Sequence, residues 1–229
     1  MELKNVKEHF EEEAEEFDNT VLKLIPSYND MINSMISAIP YDNSEKFKVL
    51  DLGCGTGNIS KGVKEMFPMS RIDCIDIAAN MIEMAKIKLE NFEDIEFYQG
   101  DFSDFDFDEN YDVVVSSLAL HHIRTDEDKK KFYRRIYGSL RSGGIFLNSD
   151  VVLGSNERLN QLYRKKWIDF MLQNVPEKEV KEKWLPKQLE EDFPAPLTHH
   201  LKWLDETGFN SVDIVWKYYG LAVYCGTRP

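Results

Sequence analysis

The sequence is poor in cysteine and in basic residues, and it has no long apolar run. Its 229 residues include only 3 cysteines, Cys54, Cys74 and Cys225, which are too few and too odd in number for a disulfide framework. No apolar stretch approaches the ~18 residues that cross a bilayer, and the first residues lack the apolar core of a signal peptide. We therefore expect a cytoplasmic protein with no membrane partner.

Positive charge is scarce as well. Lysine and arginine total 28 against 41 aspartates and glutamates, which gives a net charge of −13. A surface with this balance repels phosphate backbones, so the composition disfavours a nucleic-acid partner. Hydrophobic residues make up 42% of the chain, which suffices for a buried core and excludes wholesale disorder.

Hydrophobic spacing divides the chain into four segments. Residues 1–40 carry apolar stripes at helical spacing and are predicted to form N-terminal helices that pack on the core. Residues 41–154 alternate apolar runs with helical patterns, which indicates a doubly wound, parallel α/β core that binds the ligand. Residues 155–197 form a helical insertion or lid, and 198–229 supply a last helix, ended by Gly208, and two final strands. The first N-terminal stripe consists of Phe10, Ala14, Phe17 and Val21.

A glycine-rich turn follows the first predicted strand. The run from Asp51 to Gly57 reads Asp-Leu-Gly-Cys-Gly-Thr-Gly, and its glycines let the backbone turn tightly and approach a ligand closely. A dinucleotide fingerprint would need glycine where Asn58 stands, and the Gly-Lys-Ser/Thr of a phosphate-binding loop is absent. The spacing therefore disfavours a pyrophosphate cradle.

Two carboxylates follow the next two predicted strands. Asp76, beside Ile77, ends the second strand about twenty residues after the glycines, where a carboxylate reaches both hydroxyls of a ribose. The alternative role for Asp76 is a helix N-cap. Asp101 can accept from an adenine amine while the N–H of Phe102 donates to a ring nitrogen. The alternative here is that 101–109 is only a solvated acidic loop.

Taken in this order, these motifs resemble those of the class I S-adenosylmethionine (SAM)-dependent methyltransferases. The resemblance covers about residues 45–150 and includes a fourth element, from Tyr111 to His122. It implies a Rossmann-like, seven-stranded sheet whose last strand is antiparallel, with SAM across the carboxyl ends of the first four strands. It also implies that Ser117 lies beside the sulfonium. The other cofactor-binding residues that the resemblance and the motifs predict in the core are Asp51, Gly53, Cys54, Gly55, Gly57, Asp76, Ile77, Asp101 and Phe102.

The layout of the whole chain is similar to that of the carboxy-SAM synthases of tRNA wobble-uridine modification. The shared features are Ile25–Tyr28, the helical insertion, Thr198–His200 and Thr207–Phe209. In that subfamily a tyrosine after the proline contacts the cofactor, which implies the same role for Tyr28.

The chain departs from that subfamily at the residue that holds the extra carboxylate. The synthases use an arginine from the insertion, whereas no arginine occurs here between Arg164 and Arg228. Lys183 or Lys187 would supply a point charge but not a planar, bidentate group. This departure favours methyl transfer over carboxyl chemistry.

Two adjacent histidines, His121 and His122, follow the fourth strand, where the ligand crevice is expected. Because an imidazole titrates near pH 6.5, either could serve as a general base; the alternative is a packing or hydrogen-bonding role. His199 and His200 are interpreted as capping and surface residues. Two histidine pairs without cysteine spacing do not indicate a zinc site, so no metal is expected.

The sequence thus predicts a methyltransferase that acts on an unidentified small-molecule acceptor. Aromatic residues in and beside the insertion fit either an apolar lid over that acceptor or the insertion's own core; they are Trp167, Phe170, Trp184, Phe193 and Trp203. The alternatives are a carboxy-SAM synthase-like enzyme and a catalytically silent module that binds SAM or a partner. The apolar N-terminal helices would allow a homodimer.

Overall fold

The computed structural model describes Lys7, Ala14 and residues 16–106 and 110–229. Phe10 of the predicted N-terminal stripe lies outside the described residues, as do residues 107–109 of the acidic loop. Within the described ranges, no helix has both the length and the apolar character that crossing a membrane requires.

Strands and helices alternate through the core, and helices precede and interrupt it. The strands are β1 (Lys48–Leu52), β2 (Arg71–Asp76), β3 (Ile95–Gln99), β4 (Tyr111–Ser117), β5 (Leu140–Val151), β6 (Asn210–Tyr218) and β7 (Leu221–Thr227). The described helices are α1 (Phe17–Leu24), α2 (Tyr28–Ser37), α3 (Asn58–Met66), α4 (Ala79–Lys88), α5 (Asp126–Ser139), α6 (Glu157–Asn174), α7 (Glu177–Glu179), α8 (Leu185–Glu191) and α9 (Leu197–Thr207). A 3-10 turn covers Leu120–His122, and a π-helical turn, Val180–Trp184, joins α7 to α8.

All seven strands belong to one sheet, in the order β3-β2-β1-β4-β5-β7-β6. The strands β1 to β5 pair in parallel, and β7 runs antiparallel to both β5 and β6. The predicted seven-stranded sheet with an antiparallel last strand is therefore confirmed. Strand order reverses between β1 and β4, and ligands of doubly wound folds bind beyond the carboxyl ends of the strands at such a point.

The sheet is buried on both faces, which explains its nearly continuous apolar strands. Val49 belongs to a core formed with α2 and α3, whereas its neighbour Leu50 belongs to a core formed with α5 and α9. Successive side chains of a strand point to opposite faces, so each strand supplies both cores. Helix α9 ends at Gly208, whose φ of 109° supplies the left-handed C-cap that the sequence predicts.

The insertion has a small core of its own and rests on the N-terminal helix. Met171, Val180 and Trp184 are buried together, with Leu24 and Trp167 packed against them. The indole N–H of Trp167 donates to the carbonyl oxygen of Leu24 at 2.9 Å. Helix α1 is thus held between the insertion and the parallel sheet.

Candidate active site

All three glycines of the turn between β1 and α3 lie in the left-handed region, and two of them, Gly53 and Gly55, shape its approach to a ligand. Gly53 has φ 68° and Gly55 has φ 52°. A Cβ on Gly53 would lie 2.5 Å from the Cβ of Ala119, whereas a Cβ on Gly55 would meet no atom within 4 Å. The backbone at Gly55 therefore borders open space, so a ligand could approach it closely.

A cavity, here called the turn cavity, opens beside this turn at the carboxyl ends of β1 to β4. Of the residues predicted to bind a cofactor, its wall contains Tyr28, Gly53, Cys54, Gly55, Asp76, Ile77, Asp101, Phe102 and Ser117. Two other predicted residues lie outside this wall, because Asp51 is buried beneath the turn and Gly57 is the N-cap of α3. The wall also contains residues that the motifs did not single out, namely Phe17, Thr56, Asn58, Ile59, Met81, Leu118 and Ala119.

Asp76 is held in the wall by the backbone on both sides of it. One carboxylate oxygen accepts from the N–H of Gly55 at 2.8 Å, and the other accepts from the N–H of Ala78 at 2.9 Å. The N-cap of α4 is Ala78 rather than Asp76, and the Asp76 carboxylate joins the glycine-rich turn to the start of that helix. Its orientation toward the turn cavity is fixed.

Asp51 places an unsatisfied carboxylate oxygen under the same turn. Its Oδ2 accepts from the Ser60 hydroxyl at 2.6 Å, while Oδ1 is buried with no hydrogen-bond partner among the described residues. Burial, reinforced by the charge of Asp76, raises the pKa of Asp51 to about 7. A cationic group bound at the turn would stabilise this carboxylate, so the site suits the ammonium and sulfonium charges of SAM.

Asp101 and Phe102 lie on a loop that the core holds in place. Asp101 accepts from the N–H of Ser103 at 2.7 Å, and the Phe102 ring packs on Phe132 at 5.1 Å between centroids. Arg135 of α5 donates to the carbonyl oxygens of Phe102 and Ser103. Arg135, which no sequence motif indicated, thus orders the start of the acidic loop.

Polar contacts hold helix α1 against the glycine-rich turn. Asp18 accepts from the Thr56 hydroxyl at 2.6 Å and from the Asn58 side chain at 2.9 Å. Lys88 of α4 lies 2.6 Å from the second oxygen of Asp18, and Asn58 also donates to the Tyr28 hydroxyl at 3.3 Å. The sequence did not reveal this network, because Asp18 stands in an acid-rich stretch that looks like a solvated helix surface.

A second cavity of about 350 Å³, here called the insertion cavity, lies between α1, the insertion and the ends of β5 and β7. It shares Phe17, Leu118 and His122 with the turn cavity, so the two spaces adjoin. Trp167 and Trp184 line it while also packing the insertion's core. Trp167 and Trp184 thus belong both to the cavity wall and to the insertion's core, whereas Trp203 is buried in the main core.

Cationic side chains of the insertion line the insertion cavity. Arg164, Lys166 and Lys187 all belong to its wall. The sequence has no arginine between Arg164 and Arg228, but Arg164 itself lies on α6, inside the insertion. A guanidinium is therefore present at this cavity, and Lys183 is not in its wall.

His121 and His122 meet a carboxylate of the insertion. His121 Nδ1 lies 2.5 Å from Asp150, and its Nε2 lies 3.4 Å from Asp192. Burial alone would lower the pKa of His121, but the charges of Asp150 and Asp192 outweigh it and raise that pKa to about 10. Burial and the charge of His121 lower the pKa of His122 to about 4. One donor atom each of His121, His122 and Asp192 lies within 4.8 Å of the other two, as a metal ion would require.

The interpretation of His200 as a surface or capping residue is wrong. His200 is only 3% exposed, and its Nδ1 lies 2.6 Å from the Tyr133 hydroxyl. Its ring stacks on Tyr224 at 5.3 Å between centroids, and burial lowers its pKa to about 4. His199 is exposed. The period of α9 places His200 on the face that packs against the core and turns His199 away from it.

Comparisons with known proteins show which families this chain resembles. A family model described as "Methyltransferase domain" matches residues 49–144. The carboxy-S-adenosyl-L-methionine synthase of Nautilia profundicola is 27% identical over 218 residues, which cover 93% of this chain and 91% of that protein. The malonyl-acyl-carrier-protein O-methyltransferase of Bacillus anthracis is 28% identical over 146 residues, or 63% of this chain and 53% of that protein.

Two solved structures share the fold. The DhpI–SAM–HEP complex is 21% identical with a TM-score of 0.69, and the match covers 100% of this chain and 98% of that one. Human N-acetylserotonin methyltransferase in complex with SAM is 23% identical with a TM-score of 0.61, covering 91% and 54% of the two chains.

Proposed function

Because the chain belongs to the class I SAM-dependent methyltransferases, we propose that it transfers a methyl group to a small molecule held in the insertion cavity. The observation that carries this proposal is the junction of the two cavities at Phe17, Leu118 and His122. An acceptor of a size that fits about 350 Å³ would meet the cofactor there without crossing bulk solvent.

The residues of the turn cavity would hold SAM by complementary chemistry. Asp76 would accept from the ribose hydroxyls, Asp101 with the N–H of Phe102 would bind the adenine edge, and the turn above Asp51 would receive the methionine part. Tyr28 and Ser117 border the same space. When bound, SAM supplies a methyl carbon activated by a sulfonium leaving group.

The chain's own task is then alignment and exclusion of water. Holding two reactants in line can lower a barrier by ~7–11 kcal/mol. We propose that residues 155–197 act as the lid that dries the site, through Trp167 and Trp184. His122, which borders both cavities, would orient the acceptor, and His121, behind it, would fix the position of His122.

Binding of SAM and S-adenosylhomocysteine, measured by isothermal titration calorimetry, tests the site. We expect Asp76→Ala to weaken binding about 10- to 100-fold, since charge-assisted hydrogen bonds contribute ~1.5–3 kcal/mol each. Asp104→Ala, which removes an exposed carboxylate from the neighbouring loop, is the matched control. Equal affinities for the two variants would refute the placement of the ribose, and failure of the wild type to bind either ligand would refute the function.

A carboxy-SAM synthase-like activity is the second candidate, and Arg164 in the wall of the insertion cavity favours it. A planar guanidinium could bind a carboxylate with two parallel hydrogen bonds. Mass spectrometry of the ligand that co-purifies with the protein decides between the candidates. The added mass of a carboxylate would support the synthase, whereas SAM alone in repeated preparations would contradict it; any methylated product would exclude a silent binding module.

A further inference from the structure

Three side chains with metal-ligating atoms meet where the turn cavity joins the insertion cavity. His121 and His122 come from the 3-10 turn after β4, and Asp192 follows α8 in the insertion. His121 Nε2 lies 3.4 Å from Asp192 Oδ1, and His122 Nδ1 lies 3.6 Å from the same oxygen and 3.0 Å from the carbonyl oxygen of Glu191. The fold thus adds a carboxylate that sequence spacing could not connect with the histidine pair.

The separation between His121 Nε2 and Asp192 Oδ1 suits an ion between the two atoms better than a direct hydrogen bond. Hydrogen bonds from ring N–H groups are ordinarily about 2.7–3.2 Å long. Two ligands that each lie about 2.1 Å from a tetrahedral Zn²⁺ are about 3.4 Å apart. The 3.4 Å between His121 Nε2 and Asp192 Oδ1 therefore corresponds to an edge of a tetrahedral coordination sphere. One ring nitrogen of His122 lies within 4.8 Å of both ligand atoms, and its Nδ1 would join the ion in place of its contact with the Glu191 carbonyl oxygen.

The support behind His121 is a second, independent observation. Its Nδ1 lies 2.5 Å from Asp150, a buried carboxylate that also accepts from the N–H of Val151 at 2.8 Å and from Asn148 at 3.3 Å. Metal-ligating histidines characteristically donate their other ring N–H to a carboxylate, which fixes the tautomer and the ring orientation. Here this arrangement directs Nε2 toward Asp192.

From this geometry we propose that His121, His122 and Asp192 bind one divalent transition-metal ion of the Zn²⁺ class. Imidazole and carboxylate together are ligands that Zn²⁺ and its first-row neighbours accept. With both rings neutral, the two carboxylates in contact with His121, those of Asp150 and Asp192, balance the charge of a dication.

Three protein ligands leave a coordination position open, as in catalytic rather than structural zinc sites. All three side chains belong to the wall of the insertion cavity, and His122 also borders the turn cavity. The open position consequently faces the space assigned to the acceptor. If the proposed function holds, the ion would bind an oxygen of the acceptor and restrict the substrates to molecules with an anionic or acidic oxygen.

Metal binding can be tested on the tag-free, full-length protein without SAM or acceptor, so its failure is distinct from failure of the methyltransferase proposal. We expect about one Zn²⁺ per chain, and visible absorption bands on titration with Co²⁺ that lack the sulfur-to-metal charge transfer of cysteine ligation. Asp192→Ala and His122→Ala should each weaken Zn²⁺ binding at least about tenfold. His199→Ala, which removes an exposed histidine, is the matched control.

The outcomes separate the metal site from a simple ion-pair network. No Zn²⁺ binding by the wild type would overturn the proposal and leave Asp150, His121 and Asp192 as an ion-pair network only. Equal affinity in the wild type and both ligand variants, or a thiolate band with Co²⁺, would overturn it as well. Acetohydroxamate, a small ligand that binds metals through oxygen, should shift the Co²⁺ absorption bands. Unchanged bands would refute the proposal that the bound ion has an open coordination position. The wild-type titration and spectrum stand even if a variant fails to fold.

Discussion

Protonation of one buried histidine should make the fold sensitive to acid. Burial lowers the pKa of His200 from 6.5 to about 4. Between pH 6.5 and pH 4, His200 is therefore protonated in the unfolded chain but neutral in the folded chain. Above pH 6.5 His200 therefore does not affect the free energy of unfolding, and as the pH falls from 6.5 toward 4 its protonation in the unfolded chain lowers that free energy. The shift of about 2.5 pH units corresponds to about 3.4 kcal/mol in full, of which about 2 kcal/mol is lost by pH 5.

Urea unfolding of the wild type and of His200→Gln at pH 7.5 and pH 5.0 measures this contribution. The variant loses the hydrogen bond to Tyr133 at both pH values, so only the difference between the two pH values reports the proton. We expect the wild type to lose about 2 kcal/mol more than His200→Gln between them. His199→Gln, at an exposed position of the same helical turn, should retain the pH dependence that burial of His200 creates. Identical pH dependence in the wild type and His200→Gln would refute the reasoning.

Two further substitutions test the glycine-rich turn. Burial raises the pKa of Asp51 from 3.8 to about 7, so this carboxyl group lowers the free energy of unfolding as the pH rises through that range. Between pH 4 and pH 8, Asp51→Asn should therefore lose up to about 4 kcal/mol less of that free energy than the wild type. The same pH dependence for both proteins in urea unfolding would contradict this. Gly53→Ala would place a Cβ 2.5 Å from that of Ala119 at a φ of 68°, and we expect it to cost about 1–3 kcal/mol in thermal unfolding; an unchanged melting temperature would show that the turn can relax.

The parts of the fold that the sequence predicts well are those that depend on neighbouring residues along the chain. The glycine-rich turn follows a buried strand directly, and Asp76 and Asp101 each follow a later strand, so parallel pairing alone brings them to one edge of the sheet. Their place in the wall of one cavity therefore agrees with the motif. That they contact SAM is still a prediction.

The residues that the sequence did not reveal depend on how separate helices dock. Asp18 reaches Thr56 only because α1 lies across the turn, and Asp192 reaches the histidine pair only because the insertion folds back over β4. His200 looks polar and exposed in the sequence, yet the packing of α9 buries it. Such long-range contacts leave no periodic signal in a single chain.

Helix α1 forms a wall of both cavities through Phe17, and this shared wall has a kinetic consequence. If a product leaves past α1, the helix has to give up the contacts of Asp18 with the turn, and its movement opens both cavities together. The two products would then leave in one event instead of two independent ones. Under that condition, the rate at which α1 undocks would set an upper limit on the turnover rate.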